Sequence, residues 1–136
     1  MAVVVLDSSV LIDYKDTSSD DRHKRAEEIV HAIDRGTLPT ARITNYVLLE
    51  SLNWIHERQR HNIAVDLRAR LSVSAGFELV HAAQKDFHRA VELFETYETL
   101  AFGDATIVAY MERKGIEYLY RRNRASAPGS SENQRF

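Results

Sequence analysis

The sequence predicts an α/β domain: a mainly parallel sheet of about four strands with helices on both faces. Three observations predict it. Short β-branched runs alternate with longer segments of helical repeat. The chain has 136 residues, the size of one domain. Apolar residues make up 44% and charged residues 28%, the mix of a chain that buries a core.

The elements follow in order. Val3-Val4-Val5-Leu6 reads as a strand buried on both faces and stops at Asp7. Ser8 and Ser9 can cap a short helix through Val10-Leu11-Ile12. After the polar residues 15–21, Ala26, Ile29, Val30 and Ile33 recur at helical spacing until Gly36. Leu38 to Ile43 is a short strand, weakened at its start by Pro39. Thr44 or Asn45 caps a helix with Leu48, Leu52 and Ile55 inward. Asn62 caps the next, with Ile63, Leu67 and Leu71 along one stripe, ended by Gly76. Phe77 to Val80 is a third strand. Asp86 starts a helix carrying Phe87, Ala90, Val91 and Phe94 at the repeat. Gly103 and Asp104 open the last helix, with Ile107, Val108 and Met111 inward, and Gly115 closes it. Glu117 to Tyr120 is the fourth strand.

Beyond Tyr120 the composition breaks. Residues 121–136 hold four arginines and one glutamate, with only Ala125, Ala127 and Phe136 apolar. The reading is therefore a domain over 1–120 and a basic tail over 121–136 that is disordered or divergent. The tail carries a net +3 and the rest −5, so any grip on nucleic acid is local.

Composition excludes several chemistries. The absence of cysteine removes disulfide frameworks, cysteine-based zinc sites and thiol nucleophiles. No apolar stretch is long enough to span a membrane, and the start lacks the basic flank and apolar core of a signal peptide. A cytoplasmic protein is the expectation. None of the six histidines is paired at i, i+4, and there is no phosphate loop or nucleophile elbow.

Three carboxylates stand out. Asp7 directly follows the first buried strand, where ligands of open α/β sheets collect. Glu50 interrupts the apolar run Tyr46–Leu52, where an unpaired charge is costly. Asp104 opens a helix. Each has a plainer reading: Asp7 and Asp104 as helix caps, Glu50 on a polar edge with Asn53 and Glu57. Together they form an acidic cluster without a matching lysine, a set of hard oxygens suited to Mg²⁺ or Mn²⁺.

Three segments then carry a resemblance: residues 4–12 (VVLDSSVLI), 44–50 (TNYVLLE) and 100–105 (LAFGDA). In this order and spacing the chain resembles the PIN-domain ribonucleases, and among them the VapC-type toxins of type II toxin–antitoxin pairs. The resemblance covers about residues 2–120 and implies a three-layer fold. It implies a metal-dependent endoribonuclease that leaves a 3′-hydroxyl and a 5′-phosphate, with Asp7, Glu50 and Asp104 as both catalytic residues and metal ligands. It further implies supporting hydroxyls at Ser8 and Thr44, an RNA substrate, a small antitoxin partner and a homodimer. The family's further acid after the fourth strand is missing; Asn123 stands about there, offering a neutral oxygen. Arg58, Arg60, Arg68 and Arg70 flank the turn between the two middle helices and either hold RNA phosphates or are solvated. Two other classes compete: a PIN-fold RNA-binding or scaffold protein with weakened catalysis, and a phosphoacceptor domain, which lacks its expected adjacent acids and lysine here.

Overall fold

The computed structural model describes residues 2–122 and the backbone of 133–135. Strands β1 (Val3–Leu6), β2 (Thr40–Thr44), β3 (Phe77–Val80), β4 (Tyr118–Tyr120) and β5 (Asn133–Arg135) form one sheet in the order β3-β2-β1-β4-β5. The first four are parallel; β5 runs antiparallel to β4. Between them lie α1 (Ser8–Lys15), α2 (Asp20–Arg35), α3 (Asn45–Arg58), α4 (His61–Val73), α5 (Gln84–Thr96) and α6 (Phe102–Lys114). The α/β class, the parallel sheet and the helix order are those the sequence predicts.

The strand order has a physical consequence. From β1 the chain moves outward to β2 and β3, then returns across β1 to β4. Parallel crossovers are right-handed, so this reversal sends α5 and α6 to the opposite face from the earlier helices. The reversal lies between β1 and β4, and the carboxyl ends of those two strands frame the crevice where open sheets bind ligands. The Asp7 amide donates to the Tyr120 carbonyl at 2.8 Å, closing the two strand ends together.

The core is built from Val4, Val5 and Leu6 of β1, Ala41 and Ile43 of β2, and helix residues such as Val30, Ile33, Ile55, Leu67 and Tyr110. The stripe predicted for α2 is buried at all four positions. That of α5 is rotated: Ala90 and Leu93 are buried, whereas Phe87 and Phe94 are exposed. The inward face of α5 is Asp86, Ala90 and Leu93; Ala90 and Leu93 pack with Ala105 and Ala109 of α6 in a small second cluster. Phe87 and Phe94 instead meet Phe102 edge-to-face, at ring separations of 5.7 and 5.5 Å.

A buried ion pair fixes the α5–α6 hairpin. Asp86 is 2% exposed and takes both Arg113 Nε, at 2.7 Å, and Arg113 Nη2, at 2.9 Å. It also accepts from the Ala83 amide at 2.8 Å. Burial alone would raise the Asp86 pKa, but the arginine fork and the amide outweigh it and hold the carboxyl below its ordinary 3.8. A carboxylate depressed on folding contributes stability that is complete above about pH 4 and is lost as pH falls through its folded-state value. Asp86→Asn is therefore expected to be less stable than the wild type at pH 7, with a shallower loss below pH 4. Urea midpoints measured from pH 2 to 7 check this; parallel curves for the two proteins would contradict it.

The structure adds to the sequence reading beyond Tyr120. Arg122 packs against α1, and the backbone of 133–135 extends the sheet by a fifth strand, so β4 is not the last. Asn-Gln-Arg carries no apolar alternation by which such a strand announces itself. Asn123 lies outside the described residues.

Candidate active site

Asp7 directly follows β1 and is the N-cap of α1. Its Oδ2 accepts from the Ser9 amide at 3.3 Å and from Ser9 Oγ at 2.7 Å. Capping and a site role are thus compatible, because both described hydrogen bonds fall on one carboxylate oxygen. Asp7 is 9% exposed.

Glu50 lies in the second turn of α3, exposed at the sheet's carboxyl edge. Its Oε1 accepts from Ser8 Oγ at 2.8 Å, a contact across 42 residues of sequence. The apolar run around Glu50 is explained by its neighbours: Val47, Ser51 and Ile55 take the buried face, while Leu49 and Glu50 look outward. Asp104 is in the first turn of α6, partly buried, where the unpaired amides of a helix start favour negative charge. The two helices meet at that turn: a Cβ on Gly103 would lie 3.8 Å from Glu50 Oε1. Thus Glu50 is bonded to Ser8, the residue beside Asp7, and lies near Gly103, the residue beside Asp104.

Among the described residues, no three carboxylates or histidines are gathered tightly enough to coordinate one ion directly. Acids placed like these could hold a cation only in part through its waters. Mg²⁺ keeps several waters and takes only one or two carboxylates directly.

The remaining residues predicted from sequence are placed as follows. Ser8 is 6% exposed and bonded to Glu50. Thr44, 1% exposed, caps α3 by accepting from the Val47 amide at 3.2 Å, and so sets the helix that carries Glu50. Arg58 lies eight residues beyond Glu50, about 12 Å along the helix axis, with its guanidinium 5.0 Å over the Trp54 ring. Arg60 precedes α4 at its N-cap, and Arg68 lies within that helix. Arg70 pairs with Asp34 and lies 5.6 Å over the Tyr14 ring, which ties α4 to α2 and α1. Arg58 and Arg70 thus have their guanidinium groups on Trp54, and on Asp34 and Tyr14, respectively.

Three residues at the acidic edge escaped the sequence reading. Arg122 reaches Asp13 with Nε at 2.9 Å and Nη2 at 2.7 Å, and its amide donates to Ser9 Oγ at 2.8 Å. Asp13 is 3% exposed. One signal in the sequence was available for Asp13: a lone acid in the buried run Val10–Ile12, which requires a partner.

Comparison with solved structures shows the same fold. The crystal structure of Mycobacterium tuberculosis VapC20, described as a sarcin–ricin loop cleaving toxin, matches with a TM-score of 0.76 at 24% identity, over 95% of this chain and 97% of that one. A toxin–antitoxin complex from Klebsiella pneumoniae matches with a TM-score of 0.60 at 22% identity, over 95% and 93%. No curated protein matches by sequence. The PIN-domain family model matches residues 4–126, which takes in β1, the three acids and the segment past β4. With the strand order, the switch-point aspartate and this match in agreement, the chain belongs to the PIN-domain family.

Proposed function

We propose that this protein is a Mg²⁺- or Mn²⁺-dependent endoribonuclease, the toxin of a type II toxin–antitoxin pair. The observation that carries the reading is the Ser8–Glu50 hydrogen bond of 2.8 Å. It ties a carboxylate of α3 to the turn beside Asp7, at the switch point of a family-matched sheet. Asp7, Glu50 and Asp104 would hold the cation, in part through its waters. When bound, the cation supplies polarisation of the scissile phosphate and a water of lowered pKa. The protein's own part is placement: Ser8 orients Glu50, Thr44 fixes the start of α3, and the α6 N-terminus offers a favourable field to a phosphate near Asp104.

RNA as substrate accords with the sarcin–ricin loop named for the mycobacterial neighbour, and an antitoxin partner with the Klebsiella complex. Exposed Leu49, Val65, Phe87, Phe94 and Tyr97 supply apolar surface for an antitoxin or a second copy. Among the described residues no helix is long and apolar enough to cross a membrane, and we place the protein in the cytoplasm.

The reading is tested with ribosomal RNA and Mn²⁺. Glu50→Gln is expected to abolish cleavage. Ser8→Ala, which only frees Glu50, is expected to slow it about tenfold, the usual effect of losing a group that orients a metal ligand. A Glu50→Gln protein that cleaves as fast as wild type would refute the reading.

A further inference from the structure

Three groups of one short segment, Asp7, Ser9 and Asp13, and one from far along the chain, Arg122, form a directed chain beside the acidic edge. Asp13 and Ser9 lie four residues apart, on the same face of α1. Arg122 touches that face twice, with its guanidinium on Asp13 and its amide on Ser9 Oγ. The guanidinium contact is bidentate, one nitrogen to each oxygen of a buried carboxylate, which fixes geometry as well as charge. Arg22 Nε stands 3.7 Å from the same carboxylate. An amide can only donate, so the Arg122 N–H occupies the oxygen of Ser9 and leaves its single hydroxyl proton for another acceptor. That acceptor is Asp7 Oδ2, at 2.7 Å. The chain therefore runs from Asp13 through Arg122 and Ser9 to Asp7, and it leaves Asp7 Oδ1 outside the described hydrogen bonds.

We propose that the Asp13–Arg122 pair and Ser9 are positioning residues: they orient Asp7 so that Oδ1 is presented to the divalent cation of the site. This deepens the nuclease reading and rests on it. The competing role for Arg122 is purely structural, tying the end of β4 to α1. Under that role Ser9's hydroxyl would matter little to the site.

The test is Mn²⁺ affinity of the full chain, measured by electron paramagnetic resonance, alongside the rate of ribosomal RNA cleavage at saturating Mn²⁺. Ser9→Ala is expected to weaken Mn²⁺ binding about tenfold and to slow cleavage by a similar factor. Ser9→Thr, which restores the hydroxyl, is expected to recover most of both. Arg122→Ala is expected to match Ser9→Ala, and the double variant to be no worse than either, because Arg122 acts through Ser9. Should Arg122→Ala not fold, Arg122→Lys takes its place, keeping the charge but not the fork. The proposal is overturned if Ser9→Ala binds Mn²⁺ as wild type does while Asp7→Asn fails to bind, or if the two losses multiply. If Asp7→Asn itself retains full Mn²⁺ affinity, the metal site lies elsewhere, and the relay falls together with the nuclease reading.

Discussion

Replacing Asp7 by asparagine is expected to lower RNA cleavage by about three orders of magnitude while leaving the fold intact. Stabilisation by a bound cation is worth several kcal/mol in the transition state, and each 1.36 kcal/mol is a factor of ten in rate. The choice of asparagine matters. Asp7 is also the N-cap of α1, and asparagine caps a helix about as well as aspartate, whereas alanine would forfeit about 1 kcal/mol. Asp7→Asn thus separates the charge from the cap. Circular dichroism and a thermal melt should be near those of the wild type. Activity within tenfold of wild type would exclude Asp7 as a metal-holding residue.

The second large effect lies at the other end of the sheet. Gly76 precedes β3 and its carbonyl accepts from the Ala41 amide at 2.9 Å, which sets the β2–β3 register. A Cβ on Gly76 would come within 2.3 Å of the Ile33 carbonyl oxygen and 2.8 Å of its carbon. These are backbone atoms in the last turn of α2, and they cannot swing aside as a side chain would. Gly76→Ala is expected to cost about 3 kcal/mol, the upper part of the range for overpacking a well-filled interior. Gly36→Ala provides the contrast. Its Cβ would meet nothing, and its only cost is the positive φ of +80° at the helix end, about 1 kcal/mol. Urea midpoints of the two variants should fall in that order. Equal midpoints would show that α2 shifts to admit the methyl group.

Most of the fold was legible because its elements carry unmixed signals. Val3–Leu6 is an uninterrupted β-branched run, and Ala26, Ile29, Val30 and Ile33 follow the helical period closely. α5 was placed correctly, but its buried stripe was misjudged. Periodicity reports that a face is apolar, whereas here the inward face runs through Asp86, paired with Arg113, Ala90 and Leu93, and leaves Phe87 and Phe94 exposed. β5 was illegible for another reason. A short strand at a sheet edge is recruited by the neighbouring backbone, and Asn-Gln-Arg has no side-chain pattern to show it.

The site divides in the same way. Asp7 drew attention because it directly follows a buried strand, and Glu50 because it interrupts an apolar run, although its side chain proves to be exposed. The resemblance implied a supporting hydroxyl at Ser8, but not that it would bond Glu50. The Asp13–Arg122 pair spans 109 residues and the Arg122–Ser9 contact 113, and a single sequence holds no record of such pairings. Composition pointed the wrong way for Arg122, which belongs to a basic, polar stretch and yet anchors on a buried carboxylate.

The central claim is that Asp7, Glu50 and Asp104 hold a divalent cation that drives RNA hydrolysis. Its most direct test is cleavage of ribosomal RNA by the chelator-stripped protein, with Mn²⁺ or Mg²⁺ added back stepwise and the ends of the products identified. The account predicts no cleavage without metal, recovery that saturates with added Mn²⁺, and products bearing a 5′-phosphate and a 3′-hydroxyl. Cleavage that persists in excess chelator, or products ending in a 2′,3′-cyclic phosphate, would contradict it.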